Sequence, residues 1–362
     1  MGEPQSQGDK YEPASESTSE GDQTVSDLLP EDRERLQEQR AVVEAYLADP
    51  EEKAKYATAG GKRDLLQTLL ANKVFGPDET YKLQCMGIVF GDAFVQELGV
   101  QWVMVEDKYG RDPALRLEGT SILLFPLTMI SKRIEPGEDV DVSGLFGEVA
   151  DWVAEKKEEE LLSKKAAQFW EWFQSNEDRF RHVEGPDKEA LLDEILANLH
   201  QYCEGLAFEV GGHPEGPREL IISADGDRAR FGQVDTLVTL APVVEGWEFV
   251  AFKPAMGFEF VTEYKDVRLD PREMWFLPLK SKVNPNSLGL RLTGPTYDKA
   301  SHEAYLHACY LVLDCGLGEV AAAQEIQHVE AVAMPEEPAA EGFIELVDLP
   351  DYIGWNKKQE HK

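Results

Sequence analysis

Apolar residues recur with two different spacings along the chain, and the change of spacing predicts where helices give way to strands. Between residues 189 and 203 they recur every three or four positions, which is typical of a helix that buries one face. The segments 206–210 and 220–224 are short, rich in aromatic and β-branched residues and bounded by turn formers, so they predict strands. A second one-sided helix at 231–241 and a strand at 247–252 follow. Helices interleaved with a hairpin in this order indicate an α+β layer with a mostly antiparallel sheet.

The first half of the chain predicts three helices followed by a small sheet. The helices are marked by apolar residues at helical spacing in Leu36–Leu47, Leu65–Leu70 and Leu83–Leu98. Gly99 ends the third helix, because glycine adopts the left-handed C-cap conformation without steric cost. Beyond Gly99 the apolar positions alternate, which predicts strands. These strands lie at 102–106, 115–117 and 122–125.

Together the patterns predict an α+β fold of two domains, each an antiparallel sheet with helices packed mainly on one face, joined by a helical linker. A length of 362 residues also favours two domains. The linker is expected at the charged segment around Glu155–Glu160, and the closely spaced aromatic residues after it predict a helix docked on a core. The predicted boundaries are a disordered acidic tail at 1–26, a first α+β domain at 27–152, the linker at 153–168, a second α+β domain at 169–355 and a loose C-terminal tail at 356–362.

The charge of the chain excludes some partners and favours others. The chain carries 36 basic and 69 acidic side chains, a formal net charge of −33. A field of this sign repels the phosphates of nucleic acid and of anionic lipid, so neither nucleic acid nor membrane is expected as a partner. The simplest interpretation of the acidity is solubility. The sharper interpretations are a docking surface for a basic partner or mimicry of nucleic acid.

Cysteine usage and the N-terminal segment predict a cytoplasmic protein. The chain has four cysteines and no C-x-x-C pair, which is typical of a reducing compartment. The N-terminal segment lacks the basic stretch and the apolar run of a signal peptide. No apolar run approaches the ~20 residues that span a bilayer. Residues 1–26 have almost no apolar side chains to offset the entropy of ordering, so we expect disorder there.

Asp92 is the first candidate site residue, because it interrupts an otherwise apolar helical segment at 87–94. A buried carboxylate is costly unless it is paired, and the expected partner is Arg133 or Lys132. One interpretation is a structural ion pair, and the other is a carboxylate held in a cleft. Structural ion pairs perturb ionisation as readily as active sites do, so the structural interpretation is favoured.

The other candidates carry weaker signals. Trp102 in the first strand and His213 in the loop at 211–217 are candidates for contact with a ligand or a partner. The chain has no Gly-x-Ser-x-Gly elbow and no phosphate-binding loop, so no catalytic residue and no cofactor are predicted. A metal is not predicted either, because one group of potential ligands lacks the spacing of a zinc site: His302, His307, Cys309 and Cys315.

Four separated blocks in the first half match a family pattern in order: Leu83–Asp92, Leu98–Trp102, Asp107–Pro113 and Phe125–Arg133. They resemble the bacterial domain-of-unknown-function family 3806, over roughly residues 32 to 152. The resemblance implies a bacterial source and a domain boundary near 152, and it implies no activity, since the family is uncharacterised. The second half, from about 166 to 355, resembles another set of uncharacterised bacterial proteins that begin with a similar aromatic segment.

These observations predict a non-enzymatic protein-interaction or regulatory module, of which an antitoxin-like protein is one form, with another protein as its partner. The alternative is an enzyme or small-ligand binder with a cleft between the domains around Asp92 and Arg133. A deep polar pocket that holds both residues would favour the alternative, and a flat apolar exposed patch would favour an interaction protein. The sequence leaves the oligomeric state open.

Overall fold

Helices and small sheets alternate along the chain. The computed structural model describes residues 23–183, 186–212, 216–280 and 287–360. The chain divides into two compact units, Met1–Leu161 and Leu162–Lys362. The predicted α+β class is confirmed, because helices occur together with several small antiparallel or mixed sheets. The division falls within one helix, Val142–Arg181, which includes the segment predicted as a linker.

The first unit contains an antiparallel sheet and a layer of helices. The strands are β1 (Thr24–Asp27), β2 (Gln101–Asp107), β3 (Gly110–Arg116) and β4 (Leu123–Leu124). They lie side by side in that order, and each neighbouring pair is antiparallel. The helices are α1 (Pro30–Glu44), α2 (Pro50–Tyr56), α3 (Ala59–Ala71), α4 (Thr80–Leu98), α5 (Ser131–Ile134) and the first half of α6 (Val142–Arg181), which continues into the second unit.

The predicted acidic tail ends earlier than residue 26, because Thr24–Asp27 forms β1 at the edge of the sheet. This strand pairs with β2 from Thr24 opposite Glu106 to Asp27 opposite Val103. Val25 alone in β1 is partly buried, against a small cluster that includes Val103. Backbone pairing rather than apolar burial therefore holds the strand, and a polar sequence gives no periodic signal for it. Residues 1–22 lie outside the described part of the chain.

Helix α4 is the centre of the first core. Every residue from Cys85 to Phe94 is buried except Asp92, and α1 and α3 pack against the helix. Two glycines allow close approach to it. A Cβ at Gly87 would lie 2.4 Å from the carbonyl oxygen of Pro126, and a Cβ at Gly91 would lie 2.5 Å from the Trp102 ring. Glycine is therefore required at both positions if the main chain and the indole are to lie directly on α4.

An ion pair joins the first turn of α1 to the hairpin of β2 and β3. Arg111 donates from Nη1 to Asp32 Oδ1 (2.5 Å) and from Nη2 to Oδ2 (2.7 Å). Asp32 also accepts the backbone N–H of Leu29 (2.9 Å), so it caps the helix as well. The hydrogen bonds from Arg111, against the opposing effect of burial, lower the pKa of Asp32 to about 2.

Three small sheets form within the described residues of the second unit. In the first, β5 (Ala207–Gly212), β6 (Arg218–Ser223) and β7 (Trp247–Ala251) lie in that order, and β8 (Thr262–Tyr264) pairs with β9 (Val267–Leu269). The remaining strands are β10 (Trp275–Lys280), β11 (Leu288–Thr293), β12 (Ile326–Ala331) and β13 (Ile344–Glu345), in the spatial order β12-β11-β10-β13. The helices are α7 (Lys188–Tyr202), α8 (Phe231–Thr239), α9 (His302–Leu317), α10 (Glu319–Glu325) and α11 (Leu349–Glu360).

Two strand pairs of the second unit are parallel, which the sequence analysis did not predict. Strand β6 runs parallel to β7, and β11 runs parallel to β12. Helix α8 lies between the first two strands in the chain, and α9 and α10 lie between the other two. A helical crossover returns the chain to the same end of the sheet, so the next strand runs in the same direction. Apolar spacing shows that strands exist and leaves their direction open.

The aromatic residues near the end of α6 are buried, as predicted. Phe169, Trp170 and Phe173 are each at most 3% exposed. Trp170 donates from Nε1 to the carbonyl oxygen of Leu237 (2.8 Å). The ring of Phe173 meets that of Trp247 edge-on, with centroids 5.0 Å apart. These contacts place the end of α6 in the core that covers β6 and β7.

Helix α9 is the main helix of the other core in the second unit. Tyr305, Cys309 and Val312 are buried at helical spacing and face a cluster that includes residues of β10 and β11. Within the described residues, no single helix is long and apolar enough to cross a membrane. The segments Lys299–Leu317 and Glu319–Glu325, bent by 117°, reach that length and composition only when they are counted together.

Replacing Gly87 with alanine tests the close approach on α4. The new methyl group would meet backbone carbonyls that cannot rotate away, so we expect the free energy of unfolding to fall by about 1–3 kcal/mol. Gly147→Ala is the matched control, because Gly147 lies in α6 with nothing within 4 Å of an added Cβ. Alanine there should stabilise the helix by up to ~1 kcal/mol. Urea unfolding followed by circular dichroism measures both changes, and two effects of the same sign and size would contradict the expectation.

Asp32→Asn tests the ion pair with Arg111 through its pH dependence. The pKa of Asp32 is lowered from 3.8 to about 2 in the folded protein, so its ionisation stabilises the fold above the unfolded pKa. This contribution is lost as the pH falls towards about 2. We expect the variant to be less stable by about 1–2 kcal/mol at neutral pH, with a difference that shrinks below about pH 4. Asp139→Asn, at an exposed position, is the control, and a wild-type advantage that is constant with pH would refute the assignment.

Candidate functional site

Asp92 faces α1, and both of its carboxylate oxygens are occupied. Arg40 donates from Nε to Oδ2 (2.6 Å) and from Nη2 to Oδ1 (2.8 Å). Trp102 of β2 donates from Nε1 to Oδ1 (2.9 Å). The side chains of Arg40 and Asp92 are only 20% and 15% exposed. Hydrogen bonding to Asp92 raises the pKa of Arg40, against the opposing effect of burial. The two candidates Asp92 and Trp102 are thus joined to each other and to α1.

The predicted partner of Asp92 was wrong. Arg133 lies in α5 and donates from Nη1 to the carbonyl oxygen of Met129 (2.8 Å), and Lys132 is exposed. Arg40 precedes Asp92 by 52 positions, so no local pattern connects the two residues. Asp92 and Arg133 both belong to the first unit. The pairing that defined the predicted cleft is therefore replaced by an ion pair between α1 and α4.

Other polar side chains lie around the ion pair of Arg40 and Asp92. Lys62 is buried, its Nζ donates to the carbonyl oxygen of Tyr56 (2.9 Å), and it lies 4.8 Å from the centre of the Tyr56 ring. Burial lowers the pKa of Lys62. Burial, followed by the charge of Glu44, raises the pKa of Tyr56. The carboxylate of Asp92 already accepts three hydrogen bonds, so it has little capacity left for a ligand. Its hydrogen bonds instead join α1, α4 and β2.

The histidines and cysteines do not converge in the described part of the chain. His213 lies outside the described residues. The ring of His307 stacks on Tyr264 with centroids 4.3 Å apart, and burial raises the pKa of Cys309 to about 12. No group of three or more His, Cys, Asp or Glu side chains among the described residues could hold a metal ion.

Glu319, at the start of α10, is fully buried in the second unit. Its Oε1 accepts the backbone N–H groups of Ala224 (2.8 Å) and Gly226 (3.1 Å). Its Oε2 accepts the backbone N–H of Lys253 (3.2 Å), and its own N–H donates to the carbonyl oxygen of Lys253 (3.0 Å). One carboxylate thereby joins the turn after β6, the segment after β7 and the corner between α9 and α10.

Two glycines shape the corner between α9 and α10. A Cβ at Gly316 would lie 2.2 Å from the Phe258 ring. A Cβ at Gly318 would lie 2.8 Å from the backbone nitrogen of Ala255, and Gly318 has a φ of +79° that favours glycine. The segment after β7 can therefore lie directly on the corner, where it reaches Glu319.

Lys253 lies between two carboxylates beside Glu319. Its Nζ is 2.9 Å from Asp225 Oδ1 and 2.8 Å from Asp314 Oδ2. The side chains of Lys253 and Asp314 are 17% and 20% exposed, and that of Asp225 is 65% exposed. Burial acts to lower the pKa of Lys253, but hydrogen bonds with Asp314 and Asp225 outweigh it and raise that pKa. Asp225 and Phe252 have φ values of 48° and 65°, and backbone of this kind often marks functional sites.

These residues line a cavity of about 530 Å³. The charged residues of its lining are Asp225, Lys253, Asp314 and Glu319, of which Glu319 has no exposed surface. Its apolar wall comes from α9, α10 and the start of β12, and includes Leu311, Leu313, Ala322, Ala323 and Ile326. His307 and the half-exposed Tyr310 complete the lining. Ligand pockets of proteins typically have about 300–1,000 Å³ and this mixture of a few polar groups with an apolar wall.

Sequence reasoning identified the elements around the cavity and missed their convergence. It predicted the strand at 220–224 and the helix at 231–241, which lie on either side of Asp225, and it found no phosphate-binding loop. Glu319 is 95 residues from Ala224, so no local spacing relates them. The usable signal is a glutamate directly after Gly-Leu-Gly at the end of an apolar helix. An acidic side chain at a helix N-terminus beside small residues is well placed to accept backbone N–H groups.

The fold and the cavity define an α+β chain with a ligand-sized pocket in its second unit. Residues 62–146 match the model of a domain of unknown function, DUF3806. The match lies in the first unit and confirms the resemblance predicted there, and nothing supports a second family in the C-terminal half. No curated protein matches the chain significantly.

A solved structure also resembles part of the chain. It is the crystal structure of a protein from Bacteroides thetaiotaomicron VPI-5482, with 14% identity and a TM-score of 0.29. The similarity covers 41% of this chain and 51% of that chain, so it spans about half the length of the solved protein. Likeness at this level carries no argument about function.

Glu319→Ala tests whether this carboxylate holds the three segments together. The change leaves one buried and two partly buried backbone donors without their acceptor, so we expect the free energy of unfolding to fall by about 3 kcal/mol. Hydrogen exchange should become faster at the amides of Ala224, Gly226 and Lys253 in particular. Glu319→Gln keeps one acceptor oxygen and should lose less. Glu303→Ala, on the exposed face of α9, is the control and should change stability by no more than about 0.5 kcal/mol. Unchanged exchange at the three amides would refute the role.

Proposed function

We propose that the protein binds a small molecule in the cavity beside Lys253 and performs no chemistry on it. The observation that carries this proposal is the cavity of about 530 Å³, which is lined by both charged and aliphatic residues. The charged groups would fix the orientation of a ligand, and the aliphatic wall would bury its apolar part. The proposal keeps the expected non-enzymatic role and moves the site from Asp92 to the second unit.

The state of the polar groups supports binding rather than catalysis. A lysine acts as a nucleophile only after it loses its proton, and the raised pKa of Lys253 keeps it protonated. A general base needs a lone pair within reach of the substrate, and both oxygens of Glu319 already accept backbone N–H groups. Asp225 and Asp314 are held by Lys253. These groups therefore suit recognition by charge and hydrogen bonding.

Ala323→Trp tests the proposal by filling the cavity. A panel of small metabolites is screened against the wild-type protein by thermal shift, and hits are verified by native mass spectrometry. We expect at least one ligand whose affinity falls at least tenfold in the variant, because the indole occupies its space. Ala333→Trp, at an exposed position outside the lining, is the control and should leave binding unchanged. Equal loss in both variants, or hits that Ala323→Trp leaves unchanged, would exclude the cavity as the site.

A second candidate function is docking of a basic protein in the bacterial cytoplasm. The net charge of −33 favours it, since an acidic surface attracts a basic partner over a distance. A short segment after α8 adds an apolar contact, because Val243 is 99% exposed and Leu240 is 45% exposed. The free cysteines agree with a reducing compartment. An exposed aliphatic anchor on an acidic chain would give such a partner both electrostatic steering and a contact point.

Val243→Asp tests the docking of a basic protein independently of small-molecule binding in the cavity. The partner is captured from the native cells, identified and purified. Its binding to the wild-type protein should weaken as the salt concentration increases. Its affinity for the variant should be at least tenfold lower than for the wild-type protein. Val261→Asp, at another exposed apolar position, is the matched control. A captured protein that binds both variants equally would not use this segment.

A further inference from the structure

The charges around the cavity do not balance. Among the described lining residues, Asp225 and Asp314 contribute carboxylates with some exposed surface, and Lys253 contributes the one ammonium. The carboxylate of Glu319 is fully buried and is already satisfied by backbone N–H groups. Two aspartates against one ammonium leave one negative charge uncompensated. In a partly buried site the attraction between opposite charges is several times larger than in bulk water. A ligand with a positive charge would therefore be favoured over a neutral or negative one.

The chain itself places an ammonium group in this site, on Lys253. The Nζ atom of Lys253 touches both Asp225 and Asp314, at 2.9 Å and 2.8 Å. Lys253 belongs to the segment after β7, whereas Asp314 belongs to α9 and Asp225 to the turn after β6. The lysine is thus a tethered primary ammonium held between carboxylates from two other segments. The aliphatic wall of Leu311, Ala322 and Ala323 borders the same cavity.

We infer that the ligand of the cavity carries a primary ammonium group on a short aliphatic chain. Its ammonium would sit at Asp314 and Asp225, where it shares or displaces the contacts of Lys253. Its chain would lie against the apolar wall. This inference rests on the proposed function and adds the chemical class of the ligand.

Three probes of equal chain length test the class of ligand: hexylamine, 1-hexanol and hexanoate. They differ at the head group, which is a cation, a neutral hydroxyl or an anion. Binding to the full-length protein is measured by isothermal titration calorimetry at low ionic strength and again at high ionic strength. We expect hexylamine to bind at least tenfold more tightly than the other two, with an affinity that falls as salt increases.

Variants of the charged residues then locate the ammonium. Asp314→Asn should weaken hexylamine binding about tenfold, and Asp225→Asn should weaken it less, because Asp225 is 65% exposed and Asp314 only 20%. Lys253→Met removes the tethered competitor and should strengthen hexylamine binding about tenfold. Circular dichroism shows whether each variant is folded. If Lys253→Met or Asp314→Asn fails to fold, the exposed position of Asp225 keeps the inference testable.

The inference fails if hexanoate binds most tightly and Lys253→Met abolishes that binding, since Lys253 would then be an anion receptor. The proposed function would survive that result. The inference also fails if none of the three probes binds while the metabolite panel yields a ligand that Ala323→Trp displaces. If no ligand of any class responds to Ala323→Trp, both the inference and the proposed function fail.

Discussion

A buried carboxylate satisfied by the main chain determines the geometry of the second unit. Glu319 has no exposed surface, and it accepts N–H groups from two segments that precede it by 66 to 95 residues. An unpaired carboxylate at that depth would be prohibitively costly, so the turn after β6 and the segment after β7 must both stay within reach of it. The same bonds hold Asp225 in the left-handed region and bring Lys253 beside Asp314. The polar wall of the cavity is a consequence of this arrangement.

The first unit also contains a carboxylate that is largely removed from water, but side chains rather than the main chain satisfy it. Asp92 is satisfied by two side chains, Arg40 and Trp102, and buried residues of α4 surround it. The carboxylate oxygens of Asp92 are not available to a ligand, because groups of neighbouring elements occupy both of them. The cluster at Lys253 is open, since Asp225 is mostly exposed and the whole group borders a cavity. The two sets of ionisable residues therefore differ in their access to empty space, and this difference is why we propose a ligand for the cluster at Lys253 alone.

The sequence could predict features that depend on neighbours in the chain. The apolar run of α4, its end at Gly99 and the burial of the aromatic residues of α6 follow from local spacing. Features that depend on distant pairing could not be predicted. Strand β1 is held by backbone bonds, the parallel pairs depend on where a crossover returns, and Arg40 is 52 residues from Asp92. The cavity combines segments from 225 to 326, and no single segment carries its signal.

The acidity of the chain and the charge of the cavity act at different distances. Charges on an exposed surface are largely screened beyond about 8 Å at physiological ionic strength. The net charge of −33 therefore raises the rate at which a cation arrives and adds little to how tightly it is held. Affinity must come from groups within a few ångströms of the ligand. The inferred ligand would meet Asp314 at that distance, and the attraction would be strong because this side chain is only 20% exposed. The local pair of aspartates, rather than the composition of the chain, would select the ligand.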